Sequence, residues 1–355
     1  MDKVVVKDLV KLFGDVRAVD EVSFAIKDNE FFSLLGPSGC GKSTTLRSIA
    51  GLEDPDGGVI EIGGKTMFGP KTNLPPNKRM LGMVFQNYAV WPHMTVYDNI
   101  AYPLRIAKKD RSEIQTTVSR VMNTLGIGAL GKRKPHELSG GQQQRVALGR
   151  SLAMEPEVLL LDEPLSNLDA KLREEMRVEL KTIQQKTGIP ILYVTHDQLE
   201  AMALSDRIAV MKDGVILQCD DPATIYRRPA TQFVYDFIGQ SNYIDCEIQR
   251  ENGSELEVRV DGRSIRIPKP HQMPANKEAR LGVRPEDIRL TRSPDNTNNL
   301  LTGEVKIHLY LGNLIEYRVE LGDRLLQVHS NKDDVFSEGD AVQVSFTEAM
   351  LWDRA

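Results

Sequence analysis

A glycine-rich segment that ends in lysine and serine carries the clearest chemical signal in the sequence. It reads GPSGCGKS over 36–43 and lies between an apolar run at 31–35 and a helix-like stretch at 44–50. Glycines let the backbone curl so that successive N–H groups point inward, and the start of a helix adds positive potential there. In such a phosphate loop Lys42 bridges the β- and γ-phosphates of a nucleotide and Ser43 holds Mg²⁺. The sequence therefore predicts nucleotide binding, with a purely structural glycine turn as the alternative.

The predicted phosphate contacts come from one continuous stretch. Cys40 stands at a position that the pattern leaves free, so we interpret its side chain as a tolerated filler. The stretch consists of Gly36, Pro37, Ser38, Gly39, Cys40, Gly41, Lys42, Ser43 and Thr44.

Two consecutive carboxylates, Asp162 and Glu163, follow the apolar run 158–161. A carboxylate at the tip of a buried strand is placed to hold the ligand shell of Mg²⁺, which predicts that role for Asp162. The next carboxylate can act as general base on a water that attacks the γ-phosphate, which predicts a catalytic role for Glu163. The alternative is an Asp-Glu pair that caps a helix ahead of Pro164.

A second anion-binding segment, LSGGQ, lies at 138–142. Two glycines after a serine expose backbone N–H groups and a hydroxyl at the start of a helix, an arrangement that suits an anion. Since one chain has no need of two γ-phosphate cradles, we interpret this segment as closing on a nucleotide held by another copy. The predicted contacts are Ser139, Gly140, Gly141 and Gln142.

The order of these motifs resembles that of the ATP-binding-cassette (ABC) family. The sequence also has Gln86 in VFQ at 84–86, the loop SNLD at 166–169, and His196 in VTHD at 194–197. The resemblance implies that Gln86 senses Mg²⁺ and the attacking water while linking to a membrane partner. It also implies that His196 contacts the γ-phosphate, so that Gln86 and His196 join Glu163 as catalytic residues.

Two further residues receive roles from the resemblance. It implies that Asp169 crosses the interface of a dimer, and that Phe13 stacks on adenine. Stacking needs only a ring face, so Phe suffices, and the alternative is a core aromatic on an edge sheet. The implied ligands are ATP and Mg²⁺. The residues expected around the metal ion are Ser43, Gln86 and Asp162.

Buried strands and amphipathic helices must position these residues. Continuous apolar runs at 31–35, 158–161 and 191–195 suit strands buried on both faces, which predicts a parallel sheet covered by helices. Between the runs, helical patterns extend over 142–154 and 170–186. The pattern thus predicts an α/β fold with a phosphate loop for the first part of the chain, and the resemblance implies that this part is a P-loop NTPase of the ABC type with a RecA-like core and a helical subdomain.

The pattern changes at about residue 241, where short alternating segments are separated by turn dipeptides such as Asn-Gly and Asp-Gly. Strands are expected at 254–260, 315–319 and 341–346, which predicts a small all-β barrel or sandwich, and the resemblance implies that this domain is OB-like. The predicted domains are an ABC ATPase at 1–240, with its helical subdomain at about 87–155, and a β-rich regulatory domain at 241–355.

Composition excludes several classes of protein. The 355 residues include 45 Lys+Arg against 50 Asp+Glu, a net charge of −5, which gives no reason to expect nucleic acid as a partner. Hydrophobic residues make up 41%, as in globular chains. The apolar runs are too short to cross a bilayer, the first residues lack an export signal, and the three cysteines lack metal-ligand spacing. These features argue against a secreted protein, a membrane-spanning protein and a zinc module.

An aromatic stretch at 87–100 follows Gln86, and apolar surface patches usually mark docking sites. Joint exposure of Tyr88, Val90, Trp91 and Met94 would create such a patch. The resemblance implies that the coupling helix of a permease docks here, with Trp91 as the anchor. The alternative places Trp91 in the core of the helical subdomain.

The resemblance therefore implies the energy-coupling ATPase of an import system. It implies a homodimer that sandwiches two ATP, works with two separate transmembrane permease subunits, indirectly serves an extracytoplasmic solute-binding protein, and lies peripherally on the cytoplasmic face of the inner membrane. The stretch LGVRPEDI at 281–288 resembles the regulatory TOBE domain of importers for sugars, polyamines, ferric iron and sulfate, and a polyamine or ferric-iron solute is favoured over sugar. The alternatives are a soluble cassette ATPase of DNA repair or translation, and a regulator without hydrolysis, which the intact Glu163 argues against.

Overall fold

The computed structural model describes residues 1–292, 301–332 and 335–354, and the chain divides into two compact units, 1–230 and 231–355. The strands of the first unit are β1 Asp2–Phe13, β2 Val16–Lys27, β3 Phe31–Leu35, β4 Gly57–Ile62, β5 Lys65–Gly69, β6 Thr72–Asn73, β7 Leu81–Val84, β8 Val158–Asp162, β9 Ile191–Thr195, β10 Arg207–Lys212 and β11 Val215–Asp220. Its helices are α1 Lys42–Ala50, α2 Val96–Ile106, α3 Arg111–Thr124, α4 Gly140–Leu152, α5 Ala170–Thr187, α6 Gln198–Leu204 and α7 Pro222–Arg227.

A largely parallel sheet forms the centre of the first unit, with strand order β11-β10-β3-β9-β8-β7. Every residue of β3, β8 and β9 is buried, which explains their continuous apolar sequences and confirms the expected parallel strands. The register pairs Leu35 with Thr195, Asp162 with Val194, and Val84 with Leu161. The segments that leave these four strands therefore begin side by side at the carboxyl edge of the sheet.

Helices α2 to α5 share a hydrophobic cluster with this sheet. The helix predicted at 142–154 runs from Gly140 to Leu152, and the helix predicted at 170–186 runs from Ala170 to Thr187. Asp169 caps the start of α5 by accepting a hydrogen bond from the Leu172 amide at 2.9 Å. In the part of the chain that the structure describes, no helix combines the length and the apolar character that a membrane span requires.

A second sheet of the first unit, with strand order β2-β1-β4-β5-β6, is antiparallel. A fully buried arginine, Arg79, follows this sheet in the chain and reaches the end of α1. Its Nη1 donates to the carbonyls of Ser48 and Ile49 at 2.7 and 2.9 Å, and its Nε donates to the Leu74 carbonyl at 2.7 Å. The guanidinium thus satisfies carbonyls that the end of α1 leaves without helical partners, and burial lowers its pKa.

The second unit begins with a short helix and continues with two antiparallel sheets. Its elements are α8 Gln232–Phe237, β12 Asn242–Asn252, β13 Glu255–Val260, β14 Arg263–Pro268, β15 Glu278–Val283, β16 Ile288–Thr291, β17 Leu301–Tyr310, β18 Ile315–Leu321, β19 Arg324–Ser330, β20 Ala341–Phe346 and β21 Met350–Asp353. The strand orders of the two sheets are β14-β13-β12-β15-β21 and β16-β20-β17-β18-β19, around one hydrophobic cluster.

The strands expected at 254–260, 315–319 and 341–346 match β13, β18 and β20, which confirms the all-β character of this region. The unit starts ten residues before the expected domain start at 241, at Thr231. The reason is α8, because the Tyr235 ring packs on the Trp352 ring with 5.7 Å between centroids.

One carboxyl group of the second unit has a strongly shifted pKa. Burial, aided by the neighbouring carboxylates of Glu348 and Glu286, raises the pKa of Asp287 from 3.8 to about 6. The folded chain therefore holds this proton more tightly than the unfolded chain does. Its stabilising effect is present at low pH and is lost as the pH rises through about 6.

We predict that Asp287→Asn, which fixes the neutral form, stabilises the second unit at about pH 7 and reduces the change in stability between about pH 7 and pH 5. Thermal unfolding of the full chain at both pH values measures this. The exposed Asp323→Asn is the matched control and should keep the pH dependence of the wild type. An Asp287→Asn chain with that same dependence would contradict the raised pKa.

Candidate functional site

The phosphate loop connects β3 to α1, as the sequence predicts. Gly39 and Gly41 adopt φ angles of 82° and 102°, in the left-handed region that favours glycine. A Cβ on Gly41 would lie 2.2 Å from the Ala18 carbonyl oxygen, and one on Gly36 would lie 2.3 Å from the Met211 carbonyl oxygen. A side chain at either position would collide with a carbonyl oxygen, so the curled backbone of the loop requires glycine at 36 and 41.

Lys42 is buried at the start of α1, and its ammonium group folds over the loop. Nζ donates to the carbonyls of Gly36 and Pro37, each at 2.8 Å. Within the described ranges no carboxylate pairs with it, so its charge is available to an anion. The Cys40 thiol lies 3.7 Å from Nζ, and burial raises its pKa, which keeps the thiol neutral as a filler would be. Ser38 and Gly39 are exposed at the tip of the loop, and Thr44 is partly buried.

Ser43 and Asp162 meet at this edge of the sheet. The Ser43 Oγ donates to the Asp162 Oδ1 at 2.9 Å, and Asp162 is the last residue of β8. The other carboxylate oxygen, Oδ2, lies 3.8 Å from Arg47. A hydroxyl and a carboxylate, from segments 119 positions apart, thus present hard oxygen atoms at one place. Such a donor set fits Mg²⁺.

Glu163 follows Asp162 in a left-handed conformation with φ of 46°. Its amide donates to the Val194 carbonyl at 3.0 Å, and its Oε2 lies 3.1 Å from the Nδ1 of His196, which follows β9. The structure therefore brings two of the three predicted catalytic residues into contact, Glu163 and His196. The alternative of a helix cap is wrong, since the next helix begins at Ala170 and is capped by Asp169.

Gln86 lies just beyond β7 with an exposed side chain. Its carbonyl accepts a hydrogen bond from the Asn167 Nδ2 at 2.9 Å, which ties this segment to the loop 166–169. The side-chain amide of Gln86 makes no hydrogen bond with the residues that the structure describes. The site thus holds the main chain of Gln86 and leaves its side chain available.

The aromatic stretch after Gln86 is packed differently from the expected exposed patch. Tyr88 is only 7% exposed and joins the helical cluster, so the expectation that it forms part of a jointly exposed patch is wrong. Trp91 is partly buried, with its ring 4.3 Å from that of Tyr102 and 4.6 Å from the Arg150 guanidinium. Packing in the helical cluster accounts for Tyr88, whereas Trp91 remains partly exposed.

Two residues that the sequence analysis did not identify hold this stretch. The fully buried Asn99 accepts a hydrogen bond from the Trp91 amide at 2.9 Å and donates to the Trp91 carbonyl at 3.2 Å. Arg150 donates to the carbonyls of Tyr88 and Ala89, both of which have left-handed backbones. No local pattern could have revealed them, because an asparagine and an arginine on helices ordinarily indicate a solvated face.

The second anion-binding segment begins α4. The Ser139 Oγ accepts from the Gln142 amide at 3.4 Å, and the Ser139 amide donates to the Gln142 Oε1 at 3.1 Å, which forms a capping box. Gly141 is buried, and a Cβ there would lie 3.1 Å from Leu172 on α5. A Cβ on Gly140 would likewise lie 3.1 Å from the Leu168 side chain. Across the described ranges, no hydrogen bond or ion pair joins this segment to the phosphate loop.

Phe13 ends β1 with its ring half exposed, and the Lys11 ammonium lies 5.3 Å from the ring centroid. The alternative of a core aromatic is therefore wrong. The ring is exposed enough to stack on a ligand, although among the described residues the structure shows no contact between it and the phosphate loop.

Comparison with known proteins extends this description. The ABC transporter family matches residues 19–166, and the TOBE domain family matches residues 281–352. The structure of cbiO1 from Clostridium perfringens, part of the ABC transporter complex cbiONQ, superimposes with a TM-score of 0.59 at 30% identity, covering 63% of this chain and 91% of that one. A nucleotide-free ATP-binding cassette from an ABC transporter gives 0.55 at 26% identity, covering 62% and 91%.

Similar relatives include three import proteins. Spermidine/putrescine import ATP-binding protein PotA of Pseudomonas aeruginosa is 44% identical, over 96% of this chain and 95% of its own length. Trehalose/maltose import ATP-binding protein MalK of Thermococcus litoralis is 51% identical over 79% and 77%. Fe(3+) ions import ATP-binding protein FbpC 1 of Rhizobium meliloti is 45% identical over 89% and 87%. These relatives do not favour the alternative of a DNA-repair or translation ATPase. With nearly the whole chain matched in this way, the protein belongs to the ATP-binding subunits of ABC import systems and is an ATPase.

Proposed function

We propose that this ATPase binds ATP with Mg²⁺ at the carboxyl edge of the parallel sheet. Lys42 and the loop amides hold the β- and γ-phosphates, while Ser43 and Asp162, with Gln86, hold the metal ion. When bound, Mg²⁺ neutralises developing charge on the phosphate oxygens. The observation that carries this proposal is the 2.9 Å contact between Ser43 and Asp162, next to the phosphate loop.

Glu163 is proposed as the general base. Its carboxylate is partly buried at the same edge, one residue beyond Asp162, and can accept a proton from a water that attacks the γ-phosphate. The 3.1 Å separation between Glu163 Oε2 and His196 Nδ1 supports a paired role. Because Nδ1 faces Glu163, Nε2 is the ring nitrogen left to reach a phosphate oxygen, and it makes that hydrogen bond as an N–H donor.

We further propose that two copies sandwich two ATP, with Ser139 to Gln142 of each copy facing the phosphate loop of the other and Asp169 at the interface. The capping bond from the Gln142 amide to the Ser139 hydroxyl is long, at 3.4 Å. Redirecting this hydroxyl to a phosphate oxygen therefore costs little. Phe13, with its half-exposed ring, is proposed to stack on adenine.

The proposed partners are two transmembrane permease subunits, which the ATPase drives from the cytoplasmic face of the membrane. The PotA and FbpC 1 relatives described above match 96% and 89% of the chain, against 79% for the MalK relative. This coverage supports a polyamine or ferric-iron class of solute over a sugar. Purifying the import complex with its solute-binding protein and identifying the bound solute tests that class.

We predict that Glu163→Gln retains ATP binding, because Lys42 and the loop amides are unchanged, and lowers turnover by at least about 10²-fold. Steady-state hydrolysis and size-exclusion chromatography with ATP measure the loss of turnover and the accumulation of an ATP-bound dimer. Glu174→Gln, an exposed carboxylate on α5, is the matched control. Near-normal hydrolysis by Glu163→Gln would rule out Glu163 as the base.

The sandwich predicts complementation between copies. Ser139→Asp keeps a helix cap but sets a negative charge against the partner's phosphate, so this variant should be inactive. Mixing it with Lys42→Ala should restore activity, because one of the two composite sites is then intact on both sides. Ser139→Asn is the neutral control and should lose less activity. Mixed dimers, verified by subunit exchange, that are no more active than either variant alone would refute the two-copy site.

If a permease docks at the stretch after Gln86, Trp91→Ala should impair assembly with the permeases more than it impairs the stability of the subunit. Core truncations of large side chains cost about 3–5 kcal/mol, whereas a partly buried ring should cost about 1 kcal/mol and lower the melting temperature by about 2–4 °C. Assembly with the permeases, measured by co-purification, should fall sharply. Ile106→Ala, an exposed truncation on α2, is the control. Normal assembly, or a melting loss of core size, would contradict the docking role.

A further inference from the structure

One guanidinium joins two loops of the candidate site. Arg173 lies in the first turn of α5, and its Nη2 donates to the Leu168 carbonyl at 3.1 Å. Its Nη1 lies 3.4 Å from the Oδ2 of Asp197, directly after His196. The same side chain therefore contacts the loop that carries Asp169 and the loop that carries His196.

A buried carboxylate lies behind this bridge. Glu200 is 3% exposed, and its Oε2 accepts hydrogen bonds from the Tyr193 and Thr195 hydroxyls, each at 2.7 Å. Burial raises the pKa of Tyr193 well above its ordinary value, so its hydroxyl keeps the proton that it donates. The Oε1 of Glu200 lies 3.8 Å from the Arg173 Nε.

Hydrogen bonds fix both sequence neighbours of His196, Thr195 and Asp197. Thr195 precedes it and donates to Glu200, and the Asp197 amide donates back to the Thr195 Oγ1 at 3.0 Å. Asp197 also caps α6, since its Oδ1 accepts from the Glu200 amide at 3.1 Å. The position of the imidazole beside Glu163 thus depends on groups that Arg173 contacts.

The Arg173 guanidinium does not use all of its hydrogen-bond donors. The Arg173 Nε is buried and makes no hydrogen bond with any described residue, and its nearest carboxylate oxygen lies beyond hydrogen-bond distance. Two carboxylates face one guanidinium at 3.4 and 3.8 Å. A small shift of either loop would complete these bonds, so the two loops are mechanically linked through one rigid, planar group.

We propose that Arg173 is a positioning residue that couples the two ATP sites of the dimer, by linking the position of His196 in one site to that of Asp169, which faces the other. This inference rests on the two-copy site proposed above. Arg173 contacts neither phosphate nor water in this scheme and acts through His196 and Asp169. Coupling of this kind gives ATP hydrolysis a Hill coefficient that approaches about 2, the number of sites.

The test compares Arg173→Met, Arg173→Lys and Asp197→Asn in the full-length chain. Lysine keeps the charge but lacks the fork that reaches both loops, and Asn keeps the α6 cap while losing the charge that faces Arg173. Arg177→Met, one turn further along α5 and without an ion pair among the described residues, is the matched control. ATP hydrolysis over a range of ATP concentrations, equilibrium binding of a fluorescent ATP analogue and thermal melting are measured for each.

We expect the three variants to bind the analogue within about 2-fold of wild type, while their turnover falls about 10-fold and the Hill coefficient falls towards 1. Combining Arg173→Lys with Asp197→Asn should cause no further loss, because both changes break one link. A cooperative wild type with equally cooperative Arg173→Lys and Asp197→Asn variants would overturn the inference and leave the two-copy site standing. A non-cooperative wild type would also overturn the inference, whereas the two-copy site is refuted only by failure of the complementation between Ser139→Asp and Lys42→Ala. If Arg173→Met fails to fold, the two conservative variants decide the question.

Discussion

Parallel pairing of β3, β9, β8 and β7 is the constraint on which the candidate site depends. Because parallel strands share one direction, the segments that follow them emerge at one edge of the sheet. The register places Leu35 beside Thr195 and Asp162 beside Val194, so the phosphate loop, the carboxylates and His196 start within neighbouring backbone positions. Complete burial of β3, β8 and β9 helps to fix the register, since a slip by one residue would displace every side chain.

Arginine side chains stabilise irregular backbone at several places in the first unit. Arg79 donates to carbonyls at the end of α1, Arg150 donates to the left-handed stretch after Gln86, and Arg173 donates to the Leu168 carbonyl. Loops near a buried sheet leave carbonyls without helical or strand partners, and each unsatisfied group would be costly. The planar guanidinium offers five N–H donors in a rigid fork and can serve carbonyls of separate segments, whereas the donors of a lysine all lie on one nitrogen.

The candidate site also combines firmly held groups with groups that remain available. Lys42 is fixed by two loop carbonyls, and Ser43 is fixed by Asp162, so these charges and hydroxyls are arranged before a ligand arrives. The Gln86 side chain and the Ser139 hydroxyl are exposed or only weakly bonded. Such a division suits an ATPase in which the phosphates meet a prepared cradle and the partners complete the site.

The sequence by itself determined the strand–loop–helix context of the phosphate loop, the buried parallel strands and the all-β second unit, because glycine, apolar runs and turn dipeptides act locally. Only the tertiary structure decided which residues meet across the chain, such as Glu163 with His196 and Arg173 with two loops. It also decided which side chains of the aromatic stretch are buried, since Tyr88 lies in the core. Such contacts depend on helix packing and strand order, which no short segment encodes. A side chain that joins two distant loops has the same local pattern as a solvated one.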